Sequence, residues 1–313
     1  MAARALLFLM VAVNPVTAGL TSYPELLVAD PALRAPGHDS VRMTYLGTNG
    51  YQFETAGHSL LVDPYFSRIG LSRIVFGLPL RPNAGGVAEG MSRLKPNADA
   101  ILVTHAHFDH LFDVPTIMGR TGARLIGSST AVELARRTGA DPDHCTPVQP
   151  GSVRTIGPWH IRALPASHDH LPLIGVVPFN RPMRGTRPPV TARDWVCGEP
   201  LSYLITASGV RIFIDSGGSP AVLPPPNLGR IDLAILGVAL PDARARLAAT
   251  TSRLQARYIL PSHQDNFFVP LDRGFRFGPL TDFEFVRREH QRQGMAGRLV
   301  LLDYYQPWTL SRP

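Results

Sequence analysis

Cysteine and lysine are nearly missing from this 313-residue chain: it has two cysteines, Cys145 and Cys197, and one lysine, Lys95. Neither cysteine sits in a Cys-x-x-Cys pair, which argues against a thiolate zinc site; whether the two form a disulfide in an exported chain stays open. No apolar run reaches the length that a membrane-spanning helix needs. There is no dense Lys/Arg run and no nucleic-acid-binding motif, so no nucleic-acid partner is expected. Charged residues make up 18% against 44% hydrophobic, the composition of a chain that buries a substantial core.

Length allows one large domain or two small ones. With 30 prolines and 28 glycines, many turns are expected. The net charge of +7 is carried by arginine. It reads either as a generic solvated surface or as attraction for an anionic substrate or an anionic membrane surface. The first residues, MAARALLFLMVAVNPVTAGL, place Arg4 before an apolar run from Ala5 to Val13 and then Val-Thr-Ala at 16–18. That pattern fits a short secretory signal over 1–18, with an exported or periplasmic product; the alternative is a buried first element in a cytoplasmic protein.

From Val41 the pattern is β-like, with three short strands expected up to LLVDP. Ser67 to Pro96 reads as loop-rich, with RPNAGG as a breaker. ADAILVTH is a buried strand that ends in the sequence HAHFDH. Helices are expected at STAVELARRTG, DARARLAATTSRLQ and TDFEFVRREHQRQG. Strands are expected at GARLIGSS, SVRTIG, HIRALPA, LSYLITASG, VRIFIDSGG, RIDLAILGV and ARYILPSH, and a last one within GRLVLLDYYQPWTL. Strand groups with helices outside them suggest a layered sandwich. The Pro/Arg-rich stretch from Pro172 to Pro200 is a long loop, a length that is usually functional or disordered.

Three histidines and one aspartate fall within the six positions 105–110. A polar turn, one locally held metal or two metals with remote ligands would each account for them. Positions two apart on an extended stretch point the same way, so His105 and His107 can share one ion. The chain must then turn, and Asp109 and His110 can face a neighbouring one, which favours the two-metal reading. Imidazole and carboxylate donors without thiolate suit zinc, and also iron or manganese.

His-x-His-x-Asp-His after a buried strand resembles the signature of the metallo-β-lactamase-fold hydrolases, and so do the later strand ends LPASH, FIDSG and LPSH and the early LLVDP. The resemblance implies an α/β fold, the four-layer αββα sandwich, over 41–313, preceded by an extension at 19–40. It implies two divalent ions: His105, His107 and His168 on the first, Asp109, His110 and His263 on the second, and Asp215 bridging both. Asp63 would orient a ligand histidine or the metal loop, Asp109 would also orient the nucleophile, and His170 would line the cleft or meet substrate. Asp265 and Asn266 could touch substrate. In Pro172–Pro200, the residues Phe179, Arg181, Arg184, Arg187 and Trp195 could cover the cleft and meet an anionic or membrane-bound substrate.

The stretch YLGTNGYQFETAGHSLLVDPYFS is similar to the L-ascorbate-6-phosphate-lactonase-like and N-acyl-phosphatidylethanolamine-type phospholipase D groups. Asn49 departs from the Gly-His-Ala or Gly-Thr-Ala found there, so no substrate role is assigned to it. Dizinc β-lactamases of the fold commonly place a cysteine in the second site, where this chain has Asp215. No long helical insertion is visible between the motifs, which argues against the nucleic-acid-processing branch. The expected activity is hydrolysis of a small-molecule or lipid-derived ester, lactone or phosphodiester, anionic by the charge balance, with peripheral membrane contact as an option. The alternative is a non-hydrolytic member of the fold, an iron-dependent sulfur oxidiser or a binding module.

Overall fold

A computed structural model describes residues 19–31, 36–172 and 174–312; the signal-like segment 1–18 lies outside the described residues. Among the described residues, fourteen strands form two seven-stranded sheets. In chain order the first sheet takes β1 (Ser40–Gly47), β2 (Gly50–Thr55), β3 (His58–Val62), β4 (Ala100–Leu102), β5 (Arg124–Gly127) and β6 (Cys145–Pro147). The second takes β7 (Val153–Ile156), β8 (Trp159–Pro165), β9 (Leu201–Ala207), β10 (Val210–Ile214), β11 (Leu233–Gly237), β12 (Tyr258–Ser262) and β13 (Arg298–Leu299). The last strand, β14 (Pro307–Ser311), returns to the first sheet beside β1.

The strands are apolar on both faces because the sheets stack. Val41, Phe53, Leu60 and Val62 of the first sheet pack with Ile161, Tyr203, Ile212 and Leu260 of the second. Helices Val114–Thr121 and Ser129–Arg137 cover the outer face of one sheet through Ile117, Val132 and Leu134. Helices Pro241–Leu254 and Phe283–Arg292 cover the other through Leu247, Leu254 and Val286. The result is the αββα sandwich. Residues 20–30 pack on it: Leu20 is buried, and Asp30 Oδ1 accepts from Thr309 N at 2.9 Å.

Two expectations are corrected. Ser67 to Pro96 holds helices Leu71–Val75 and Ala84–Ser92 rather than only loop. The second carries three glycines, which disfavour helix intrinsically. It forms because the Asn83 side chain caps it, accepting from Gly86 N at 3.0 Å, because Val87 is fully buried, and because Gly90 leaves room for the Phe66 ring. The C-terminal stretch does not make one strand: β13 and β14 belong to opposite sheets, and residues 300–306 cross between them. The possible disulfide does not form either, since Cys145 and Cys197 are buried free thiols. Pro172–Pro200 is a loop among its described residues, apart from a short 3-10 turn at Ala192–Asp194.

Strands β3 to β6 run parallel, as do β10 to β13. Their C-terminal ends therefore lie on one edge, where α/β sheets gather functional loops. Asp63 follows β3, His105 follows β4, Asp215 follows β10 and His263 follows β12. Among the described residues no helix is long and apolar enough to cross a membrane.

Candidate metal centre

The chain turns after His107 into the four-residue helix Phe108–Leu111, whose backbone closes with Leu111 N donating to His107 O at 3.0 Å. That turn puts His105 and His107 on one side and Asp109 and His110 on the other. His168, beyond β8, joins the first pair, and His263, beyond β12, joins the second. Each triad has its three donor atoms within 4.8 Å of one another.

Nε2 of His105 faces Nδ1 of His107 at 2.9 Å, and Nε2 of His110 faces Nε2 of His263 at 3.2 Å. Asp109 Oδ2 is 3.2 Å from that His263 nitrogen and 3.6 Å from that of His110. His107 Nδ1 and His110 Nε2 carry lone pairs, because the opposite nitrogen of each ring faces an oxygen acceptor. A shared cation between the lone pairs is what such a donor set fits, so the residues suit the divalent ions that the fold implies.

The opposite ring nitrogens are held by acceptors, which sets the tautomers. His107 Nε2 donates to Pro178 O at 2.9 Å, His168 Nδ1 to Asp169 O at 2.8 Å and His110 Nδ1 to Asp63 Oδ2 at 2.8 Å. Each bond leaves a lone pair aimed at the triad, the arrangement that orients metal-ligating histidines. Burial, with neighbouring imidazoles adding to it, pushes His105 and His107 well below the usual histidine range, and burial brings His168 down to about 4. The rings are thus neutral, the form a metal requires. Burial alone would raise the Asp109 carboxyl, but His110 and His263 outweigh it and hold it ionised.

Asp63 is fully buried with a positive φ of 41°. Besides His110 it accepts from Thr104 N at 2.8 Å, Thr104 Oγ1 at 2.6 Å and Asn49 Nδ2 at 2.9 Å. Asn49 in turn accepts from Ser262 Oγ at 2.7 Å, so one side chain ties the ends of β3 and β12 together. This explains why an asparagine stands in that turn; sequence reasoning left it without a role. His263 also has positive φ, 53°, and its backbone N donates to Thr48 O at 2.8 Å. Strained backbone beside the ligands is tolerated because these bonds over-determine it.

Several expected residues are placed elsewhere. Asp215 belongs to neither triad: its Oδ2 meets Arg246 Nη2 at 2.5 Å. His170 is bound to Asp242 at 2.7 Å through Nδ1 and is not among the cavity-lining residues. Asp265 lines the cavity, but its carboxylate is taken up by Arg68 Nη1 at 2.8 Å, Tyr304 OH at 2.6 Å and Thr48 N at 2.8 Å. Asn266 caps its own loop, accepting from Phe268 N at 3.3 Å. Trp195 is buried against Phe112, and Arg181 pairs with Asp194, so of the long loop's named residues it is Phe179 that reaches the cavity. Arg68, buried and ion-paired, was missed; nothing in its local sequence marks it.

The cavity over the triads is walled by Phe108, Leu171, Phe179, Phe267, Phe268 and Leu280, and none of the described lining residues is a lysine or arginine.

A family model described as the beta-lactamase superfamily domain matches residues 58–263, a span that holds both triads. The chain belongs to the beta-lactamase superfamily. Within it, the chain is similar to proteins named UPF0173 metal-dependent hydrolase. That of Aeropyrum pernix is 35% identical over 33% of this chain, and that of Pyrococcus furiosus 26% over 72%. The matches cover 38% of the first relative's length and 86% of the second's. Among solved structures, Igni18, a metallo hydrolase of Ignicoccus hospitalis, superposes with a TM-score of 0.58 at 16% identity, over 88% of this chain and 100% of that one. That likeness supports the fold.

Proposed function

We propose that this superfamily member is a metal-dependent hydrolase with two divalent ions, zinc first and manganese or iron as alternatives. Its substrate is an ester, lactone or phosphodiester with an apolar non-reacting part. The observation that carries this reading is the pair of triads opening onto an apolar cavity. Divalent ions held there supply Lewis acidity and a water acidified to near neutral pH. His105, His107 and His168 hold one ion, and Asp109, His110 and His263 the other. Asp109, ionised and set beside His110 and His263 in the second triad, also orients a water through its carboxylate.

The described wall residues include no lysine or arginine, so anionic character in the substrate has to be met at the triads, and the phenylalanines take the apolar remainder. A lipid-derived substrate suits this division. Near the cavity residues Ile74 and Val176 stand the exposed apolar side chains Phe76, Leu78, Ile174 and Val190, and Arg184 and Arg187 are exposed on the same long loop. Leu80 N donates to Val190 O at 2.7 Å, which joins the first helix region to that loop. Exposed apolar side chains, with exposed arginines on the same loop, support peripheral contact with an anionic lipid surface.

The test is a screen of zinc-, manganese- and iron-loaded protein against acyl esters, lactones, phosphodiesters, thioesters and β-lactams. Turnover that disappears in His107→Ala, with the circular dichroism spectrum unchanged, supports the reading. Full activity in that variant, or thiol-dependent oxygen uptake by an iron form in place of hydrolysis, contradicts it.

A further inference from the structure

Both oxygens of the carboxylate expected to bridge the two ions are already engaged by the protein. Asp215 Oδ2 lies 2.5 Å from Arg246 Nη2, with the two side chains 3% and 4% exposed. Its Oδ1 accepts from Gly217 N at 3.2 Å and Gly237 N at 3.3 Å. Arg246 is anchored as well: Nη2 donates to Gly217 O at 2.7 Å and Nη1 to Val222 O at 3.1 Å. To bridge metals, Asp215 would have to give up a buried guanidinium, which would be left uncompensated in the interior at heavy cost. A cation is therefore already bound where a metal would compete for the carboxylate.

This pair has a visible purpose. It clamps the turn after β10, and Gly237, lacking a Cβ, lets the Ser216–Gly217 backbone lie directly on β11. The turn then presents Ser216 Oγ to His105 Nδ1 at 3.3 Å, the ring nitrogen opposite the one that faces His107. Ser216 shares that nitrogen with Thr104, whose Oγ1 also lies 3.3 Å from it, so the two hydroxyls back His105 on the side away from His107.

We propose that Asp215 is no metal ligand in this protein: with Arg246 it positions Ser216 on His105, and each ion is held by its own triad without a shared protein carboxylate. The proposal rests on the reading that the triads bind metal. Of the six triad side chains Asp109 alone is a carboxylate, so a second dication meets repulsion that no bridge offsets. The two triads consequently fill at separate metal concentrations.

The experiment is a zinc titration of chelator-stripped full-length protein, read by calorimetry and by metal content per chain. It compares wild type with Asp215→Asn/Arg246→Met, His107→Ala and His263→Ala. The double variant removes both charges, so no unpaired ion is left buried. Expected are two separate binding steps in wild type and one ion lost in each histidine variant. The double variant keeps both ions, with the His105 step weakened by about 10–100-fold, as for a group behind a ligand. Loss of an ion from the double variant, or filling in a single step by wild type, overturns the proposal. If the double variant does not fold, a crystal structure of zinc-loaded wild type decides: an intact Asp215–Arg246 pair supports the proposal, and an Asp215 oxygen on zinc overturns it. None of these readouts involves turnover, so an inactive protein with two zincs would defeat the proposed hydrolase and leave this assignment standing.

Discussion

Asp63 and His110 are joined by a 2.8 Å hydrogen bond between two side chains with no solvent exposure, 47 positions apart in the chain. The carboxylate fixes the ring so that Nε2, and not Nδ1, faces Asp109 and His263. Asp63→Asn keeps the shape but offers an amide where His110 needs an acceptor. Zinc bound by the second triad should weaken by about 10–100-fold. A competition titration against a chelator measures this; unchanged affinity would show that Asp63 serves only the fold.

Arg68 and Asp265 form a second buried pair, both side chains at 0% exposure. Burial alone would lower the Arg68 pKa, yet Asp265 reverses that and drives it above its usual range. Arg68→Met leaves Asp265 with Tyr304 and Thr48 but without its cation. The expected loss is about 3–5 kcal/mol, read as a fall in the urea midpoint. The paired change Arg68→Met/Asp265→Leu should recover part of it, because no uncompensated charge remains.

Phe179 sits 5.9 Å from the His107 ring at the mouth of the cavity. Removing it strips away part of the apolar wall and leaves every triad donor in place. For Phe179→Ala we expect kcat/KM on octanoyl esters to drop about tenfold or more, the range of a lost apolar pocket contact, while acetyl esters change little. Equal losses on both chain lengths would assign Phe179 to the metal site instead of the wall.

Phe76 is 71% and Val190 53% exposed. The double change Phe76→Ser/Val190→Ser should reduce co-sedimentation with phosphatidylglycerol vesicles while leaving the hydrolysis of a soluble ester intact. Wild type that ignores those vesicles at low salt would remove the membrane from the proposed function.

Both thiols are buried, and burial raises the Cys197 thiol to about 12. Thiol reagents should therefore modify Cys197 only after unfolding, a rate that mass spectrometry can follow. Modification within seconds in native buffer would contradict the packing of the loop end that carries it.

What could be read from residue order is what short stretches encode. The strand ends with their motif residues, the helices at 129–137, 241–254 and 283–292, and the crowding of donors at 105–110 all follow from local patterns. The helix at 84–92 was hidden because its glycines oppose helix locally, and it forms through the packing of Phe66 and Val87 together with the Asn83 cap. The split of the C-terminal stretch was hidden because β13 and β14 differ in partner sheet and not in composition.

The metal centre divides in the same way. The sequence by itself determined which side chains carry the imidazoles and carboxylates and that they end buried strands, since both depend on neighbours in the chain. Tertiary structure alone decided which partners they meet: that Asn49 ties Asp63 to Ser262, that His170 is drawn to Asp242, and that Asp215 faces Arg246 instead of a triad. Those outcomes depend on tertiary packing between residues 14 to 213 positions apart, separations over which local patterns carry no information.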